Sequence, residues 1–139
     1  FDISWFFFKT HRISVAGEKM SFAHLEQKII RPRFKEPRIH FALNCASKSC
    51  PPLGLEPFQA KTLDAALERL AREFINSDRG VRQGGDGRAE ISKIFDWYGE
   101  DFESKGGVVA FINRYRSRPI PEKAKVEFQD YDWSLNEAR

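Results

Sequence analysis

Between positions 38 and 52 the chain reads RIHFALNCASKSCPP, which gathers a histidine, an amide, two thiols and two hydroxyls into one short stretch. A cysteine attacks as its thiolate, so a thiol beside a base is a candidate nucleophile. In that chemistry Cys45 or Cys50 is the nucleophile, His40 the general base and Lys48 a charge that lowers the thiol pKa. Asn44, Asp101 or Glu26 would orient the imidazole, and loop amides around Ala46 to Ser49 would serve as oxyanion donors. The candidate catalytic set is therefore His40, Asn44, Cys45 and Cys50. Ser47, Lys48, Ser49, Glu26 and Asp101 are candidate substrate-binding groups. The reaction class is thiol-dependent hydrolysis or transfer on an acyl or peptide-like substrate, and a small molecule or a peptide is the expected ligand.

The same residues support two other readings. Four residues separate the cysteines, which permits a disulfide closing a short loop and leaves a non-catalytic binding or interaction module. The placement of the thiols after an apparent strand and before Pro51 and Pro52 also differs from papain-like enzymes, whose cysteine opens a helix. A metal would take His40, Cys45 and Cys50, with His24 or Glu26 completing the shell. His24-Leu25-Glu26 has the His-x-Glu of zinc deaminases, but their Pro-Cys-x-x-Cys is missing. With one nearby histidine and no second cysteine pair, the expectation is no metal and no cofactor. The chain shows no phosphate loop, dinucleotide fingerprint, Gly-x-Ser-x-Gly elbow or His-Glu-x-x-His.

Ile39, Phe41 and Leu43 alternate with His40, Ala42 and Asn44, which predicts a strand over 38–43 with His40 and Asn44 on one face. The prolines and small residues that follow predict a loop carrying both thiols. Residues 1–8 and 12–16 read as two strands, with a turn at Gly17-Glu18. Ser21 then caps a short helix with Phe22, Leu25, Ile29 and Ile30 inward, stopped by Pro32. Leu63, Ala66, Leu67, Leu70 and Phe74 recur at helical spacing and predict a helix over 63–76. A hairpin over 80–91, turning at 84–87, comes next. Ser92 caps a helix bearing Ile94, Trp97, Tyr98 and Phe102, and Gly106-Gly107 breaks it before another helix near 107–116. Asp101 lies on that apolar face and, if buried, needs a partner such as His40, Lys93 or an arginine. The aromatic residues Trp97, Tyr98, Phe102 and Trp133 read most simply as packing residues. A last strand carries Val126 and Phe128 on one side.

Helices and strands interspersed without a βαβ rhythm predict an α+β fold, a small mixed or antiparallel sheet with short helices packed on it, in a single domain over 1–139. With 41% hydrophobic residues, thirteen Phe and three Trp, the chain has enough apolar material for one core. Lys and Arg exceed Asp and Glu by only 23 to 20, and no aromatic-basic interleaving accompanies the basic clusters, which argues against nucleic acid. The apolar opening segment is too short to span a bilayer, so this segment does not insert into a membrane.

Taken together, these motifs resemble the family catalogued as domain of unknown function 547. The resemblance is carried by the Gly17 turn with SFAHLE at 21–26, by RIHFALNCASKSCPP at 38–52, by ISKIFDWY at 91–98 with Asp101-Phe102, and by YDWSLN at 131–136. It implies a fold and a site region but brings no established reaction. It also implies a periplasmic or extracellular setting, and a usual upstream helix rich in Phe, Trp, Asn and Tyr, so the segment is expected to be truncated at its N-terminus.

Overall fold

The computed structural model describes residues 3–84 and 87–136, with side chains from Phe6 onward. The fold is α+β, with short helices, a two-stranded antiparallel sheet and a mixed three-stranded sheet. It divides into two compact units, Phe1–Pro37 and Arg38–Arg139.

The first unit opens on a helix where a strand was expected: α1 spans Ile3–Thr10. A short unbroken apolar run does not distinguish the two conformations by periodicity. Here Phe7 and Phe8 both meet Phe22, at ring-centroid distances of 5.9 and 5.8 Å, which a helix allows for adjacent residues and an alternating strand does not. The hairpin forms one strand later, between β1 (Arg12–Val15) and β2 (Glu18–Ser21). Its two turn residues, Ala16 at φ 52° and Gly17 at φ 87°, occupy the left-handed region that tight antiparallel hairpins require.

Ser21 caps the following helix as expected, its hydroxyl accepting from the His24 amide at 3.1 Å. Pro32 does not stop that helix. After α2 (Phe22–His24) the backbone widens into a π-helical turn, Leu25–Ile30, and continues as α3, Arg31–Phe34. A proline ring inside a regular helix strikes the carbonyl four residues back. The Arg31 amide instead reaches the Glu26 carbonyl five residues back, and this looser turn makes room for the ring. Lys35, in left-handed conformation at φ 48°, ends the run.

A 3₁₀ turn, Pro37–Phe41, takes the place of the strand expected over 38–43. Phe41 explains the difference. Its fully buried ring meets Phe74 at 5.3 Å, Phe95 at 5.9 Å, Phe111 at 6.2 Å and Phe102 at 6.5 Å, so one residue is fastened to four elements and the backbone coils to seat it. Pro37 opens the turn, where its fixed φ and missing N–H cost least.

Helix α4 spans Leu63–Asn76 as expected, with Leu67, Leu70, Ala71, Phe74 and Ile75 buried. Gly80 then lets the chain return past the helix end, since a Cβ there would stand 2.1 Å from the Phe74 carbonyl oxygen. Strands β3 (Val81–Gln83) and β4 (Arg88–Ile91) form the expected antiparallel hairpin; Gly85 and Asp86 of its turn lie outside the described residues. Strand β5 (Lys125–Phe128) joins β4 in parallel, giving the order β3-β4-β5.

The helix expected after Ser92 is broken at Tyr98 into α5 (Ile94–Trp97) and α6 (Gly99–Phe102). Gly106 and Gly107, both at positive φ, lead into α7, Val108–Tyr115. The core between these elements is aromatic and aliphatic, with Phe95, Phe102, Phe111, Ile75, Ile91 and Ile112 almost wholly buried. Burying each such side chain contributes about 1.5–3 kcal/mol, which makes this packing the frame that holds the loop after Phe41.

Candidate functional site

The segment leaving Phe41 loses its apolar anchors and is held by hydrogen bonds instead. Asn44 bridges it, donating from Nδ2 to the Pro51 carbonyl at 2.6 Å and accepting at Oδ1 from the Ala46 amide at 2.7 Å. Ala46 sits at φ 61°, a left-handed conformation that costs a non-glycine residue about 1–2 kcal/mol. At the far side Arg79 donates to the Cys50 carbonyl at 3.3 Å.

The chain's tail closes the loop. Ser47 pairs with Leu135 in an antiparallel bridge, the Lys48 amide donates to the Ser134 carbonyl at 2.9 Å, and the Asn136 amide to the Ala46 carbonyl at 2.8 Å. Ser49 adds two bonds with Asp132: its amide donates to the Asp132 carbonyl at 3.3 Å and its hydroxyl accepts from the Asp132 amide at 2.9 Å. Ser49 is thereby a fastening of the loop.

Inside this frame the two sulfurs lie 3.0 Å apart as free thiols, so the disulfide of the second sequence reading is not formed. Cys50 is buried and Cys45 half-buried. With both thiols protonated Cys45 donates to Cys50 Sγ, which also accepts the Cys45 amide at 2.9 Å, and the Cys50 thiol donates to the Leu43 carbonyl at 3.9 Å; ionising Cys45 turns the sulfur–sulfur bond around, with Cys50 as donor. Cys45 Sγ also lies 3.1 Å from the Ser47 hydroxyl and 3.4 Å from the Tyr131 hydroxyl. The Ser47 and Tyr131 hydroxyls are also 3.1 Å apart, and with one proton each, one bridges the pair while the other is directed at the sulfur.

Donors collected on one sulfur favour its charged form. The Cys45 pKa is lowered to about 5, first by the hydrogen bond from Cys50 and then by those of Ser47 and Tyr131, against an opposing effect of burial. Cys50 moves the other way, raised by its bond to Cys45 and by burial. Tyr131 is raised as well, mainly by burial, and stays a neutral donor. The two shifts run in opposite directions, so charge is favoured on Cys45 and the proton on Cys50. Lys48 is exposed and is not among the principal causes of the Cys45 shift.

His40 belongs to a different polar group. Its Nε2 lies 2.7 Å from Asp101 Oδ2 on α6, and its ring stacks on Tyr98 with centroids 3.9 Å apart. The imidazole is almost fully buried, at 2% exposure, and the carboxylate is 24% exposed. Asp101 takes His40 as its partner, while Lys93 pairs with Asp96 at 2.7 Å. The shared face predicted for His40 and Asn44 falls with the strand that implied it, because the two side chains have separate partners.

The expected oxyanion amides are corrected too. The amides of Ala46, Lys48 and Ser49 are bound to Asn44, Ser134 and Asp132, and the Cys50 amide donates to the Ser47 carbonyl at 3.1 Å. Those of Ala46 and Cys50 are taken by the loop and those of Lys48 and Ser49 by the tail, while the Ser47 amide is directed at Cys45. Glu26 lies in the π-helical turn of the first unit, where Gln27 Nε2 donates to its Oε1 at 3.0 Å. Among the described residues no three His, Cys, Asp or Glu side chains gather as a metal site would require, and no helix is long and apolar enough to cross a membrane.

Tyr131 is the site residue that reading the sequence missed. It is 86 positions from Cys45, and its sole signal is the alternation of Tyr131, Trp133 and Leu135 with polar residues in the tail. Two tryptophans accompany it. Tyr131 meets Trp97 at 4.7 Å and Trp133 at 4.5 Å, and the tryptophans stack at 5.4 Å.

Comparison with known proteins gives one family. The model described as "Protein of unknown function, DUF547" matches residues 2–75, which include the cysteine loop but not Asp101 or Tyr131. No curated protein and no solved structure matches the chain.

Proposed function

We propose a thiol-based reaction for this chain, which belongs to the DUF547 family of proteins of unknown function: Cys45 is the nucleophile, Cys50 its partner, and thiol–disulfide exchange the chemistry. The observation that carries this reading is a half-buried Cys45 sulfur 3.0 Å from Cys50 Sγ with the hydroxyls of Ser47 and Tyr131 gathered on it, a geometry that favours charge on Cys45 and the proton on Cys50.

Reduction of the substrate takes its two electrons from the protein dithiol, and an external thiol restores them. Cys45 thiolate attacks one sulfur of a substrate disulfide, forming a mixed disulfide and releasing a substrate thiolate that takes a proton. Capping Cys45 removes its charge, and with it the first cause of the raised Cys50 pKa. Cys50 then loses its proton to the departing thiolate or water and attacks Cys45 Sγ, expelling the second substrate thiolate. The protein dithiol is oxidised to a disulfide, and the substrate disulfide is reduced to two thiols. Two equivalents of a low-molecular-weight thiol return the protein to its dithiol state and leave as their own disulfide, by a mixed disulfide that the second equivalent resolves.

The hydrolase or acyl-transferase reading made from sequence has one supporting observation, the His40–Asp101 pair, which is the base-and-orienter half of a triad. Against it, the amides of Ala46, Lys48, Ser49 and Cys50 are already bonded within the loop and to the tail. Exchange at sulfur develops no oxyanion and needs no such donors.

Alkylation by iodoacetamide across pH tests the nucleophile. The thiolate fraction of Cys45 falls as pH drops through its pKa, so the rate is expected to rise through a midpoint near 5 and level off well below pH 8. Cys45→Ser is expected to abolish this phase. A midpoint near 8.5, the ordinary cysteine value of about that size, overturns the reading. Turnover of an acyl ester probe that depends on both His40 and Cys45 would favour acyl transfer instead.

A further inference from the structure

The rings of Trp97, Tyr131 and Trp133 form a continuous surface that ends on the thiolate. Trp97 and Trp133 are 43% and 47% exposed, so a large part of each ring faces water beside the loop. All three rings are within 5.4 Å of one another. Tyr131 ties them to the chemistry, since its ring packs on both tryptophans while its hydroxyl reaches Cys45 Sγ at 3.4 Å. The Tyr131 backbone also continues into Asp132 and Ser134, which are bonded to the loop, so the aromatic surface and the sulfur are held by one piece of chain.

We propose that this platform binds an aromatic side chain next to the reacting disulfide of a peptide substrate. The inference rests on Cys45 being the nucleophile and adds what it selects. Because the Tyr131 hydroxyl lies 3.4 Å from Cys45 Sγ and its ring packs on both tryptophans, a residue beside the attacked sulfur is within reach of these rings, where an aromatic group gains stacking and buries apolar surface that is otherwise in water. A small polar neighbour gains neither.

Two short blocked peptides test it, each a symmetric disulfide, one with Phe and one with Ser beside its cysteine, so that the reacting bonds match in intrinsic reactivity. The second-order rate of peptide-thiol release is measured with the full chain. The expected result is a Phe-to-Ser ratio of about ten, lowered toward one by Trp97→Ala or Trp133→Ala and kept by Trp133→Phe. Tryptophan fluorescence is expected to change more on reaction with the Phe peptide. Equal rates for the two peptides in a protein whose Cys45 still shows its low-pH alkylation overturn the platform alone. A ratio that survives both alanine variants also overturns it. Failure to react with either peptide, together with an ordinary alkylation midpoint, overturns the platform and the nucleophile together.

Discussion

His40 and Cys45 stand five positions apart on one segment, yet different parts of the fold hold them. His40 faces inward, stacked on Tyr98 and bonded to Asp101 at the start of α6. Cys45 faces Cys50, Ser47 and the tail residue Tyr131. The first group is a buried ion-pair geometry at the edge of an aromatic core; the second is a half-buried set of hydroxyl and thiol donors around one sulfur. The difference teaches that the groups gathered on the sulfur are a thiol and two hydroxyls, with the imidazole turned to a carboxylate instead. A thiolate is stabilised by any donors that converge on it, and here a second thiol and a phenol supply them.

Removing His40 tests that separation with the largest expected effect on the fold. His40→Ala deletes the partner of Asp101 and the stack on Tyr98, and loss of a hydrogen bond to a charged group costs about 1.5–3 kcal/mol. Denaturant unfolding is expected to show a loss of that size, while the alkylation midpoint of Cys45 stays near 5. Asp101→Asn keeps a polar partner for the ring and is expected to lose less. A midpoint that climbs toward ordinary cysteine values in His40→Ala would join the two groups into one catalytic unit and restore the acyl-transfer reading.

How far these groups were legible in the sequence follows from the range of the forces that place them. Helix α4 was plain because Leu67, Leu70, Ala71 and Phe74 carry its period locally. The need of Asp101 for a partner was legible from charge on an apolar face, and His40 was among the candidates. The conformation around His40 was not. Ile39, Phe41 and Leu43 alternate as a strand would, and what coils them is the contact of Phe41 with rings up to 70 positions away. The passage of a helix through Pro32 was hidden for a related reason, since a π-helical turn leaves no mark on apolar spacing. Tyr131 was beyond local pattern altogether, because a tail that bonds to a loop does so through backbone groups common to every residue.

Tyr131→Phe is the reciprocal test, expected to act on the sulfur more than on the fold. It keeps the ring against Trp97 and Trp133 and removes the hydroxyl that faces Cys45. One donor lost from a charged acceptor corresponds to a rise of about one pKa unit, at 1.36 kcal/mol per unit. The alkylation midpoint is expected to move up by that amount, so that at pH 5 the variant reacts more slowly than the parent and above pH 8 the two are alike. The sign follows from the charge: removing a donor destabilises the thiolate, so protonation sets in at higher pH. An unchanged midpoint would leave Cys50 and Ser47 as the sufficient donors.

The smallest effect separates holding the loop from activating the sulfur. Ser49 Oγ accepts the Asp132 amide at 2.9 Å and makes no bond to either sulfur among the described contacts. Ser49→Ala removes one partly exposed hydrogen bond, worth about 0.5–1.5 kcal/mol and toward the low end where water replaces it. Hydrogen exchange of the Asp132 amide is expected to quicken, with global stability little changed. The tail has three other backbone bonds to the loop, at Lys48, Ser49 and Asn136, so Tyr131 stays within reach of the sulfur. The Cys45 midpoint is therefore expected to hold. Should it rise as far as in Tyr131→Phe, the tail would be positioned by this serine alone, and the loop and the thiolate would be a single cooperative unit instead of a frame and the group it holds.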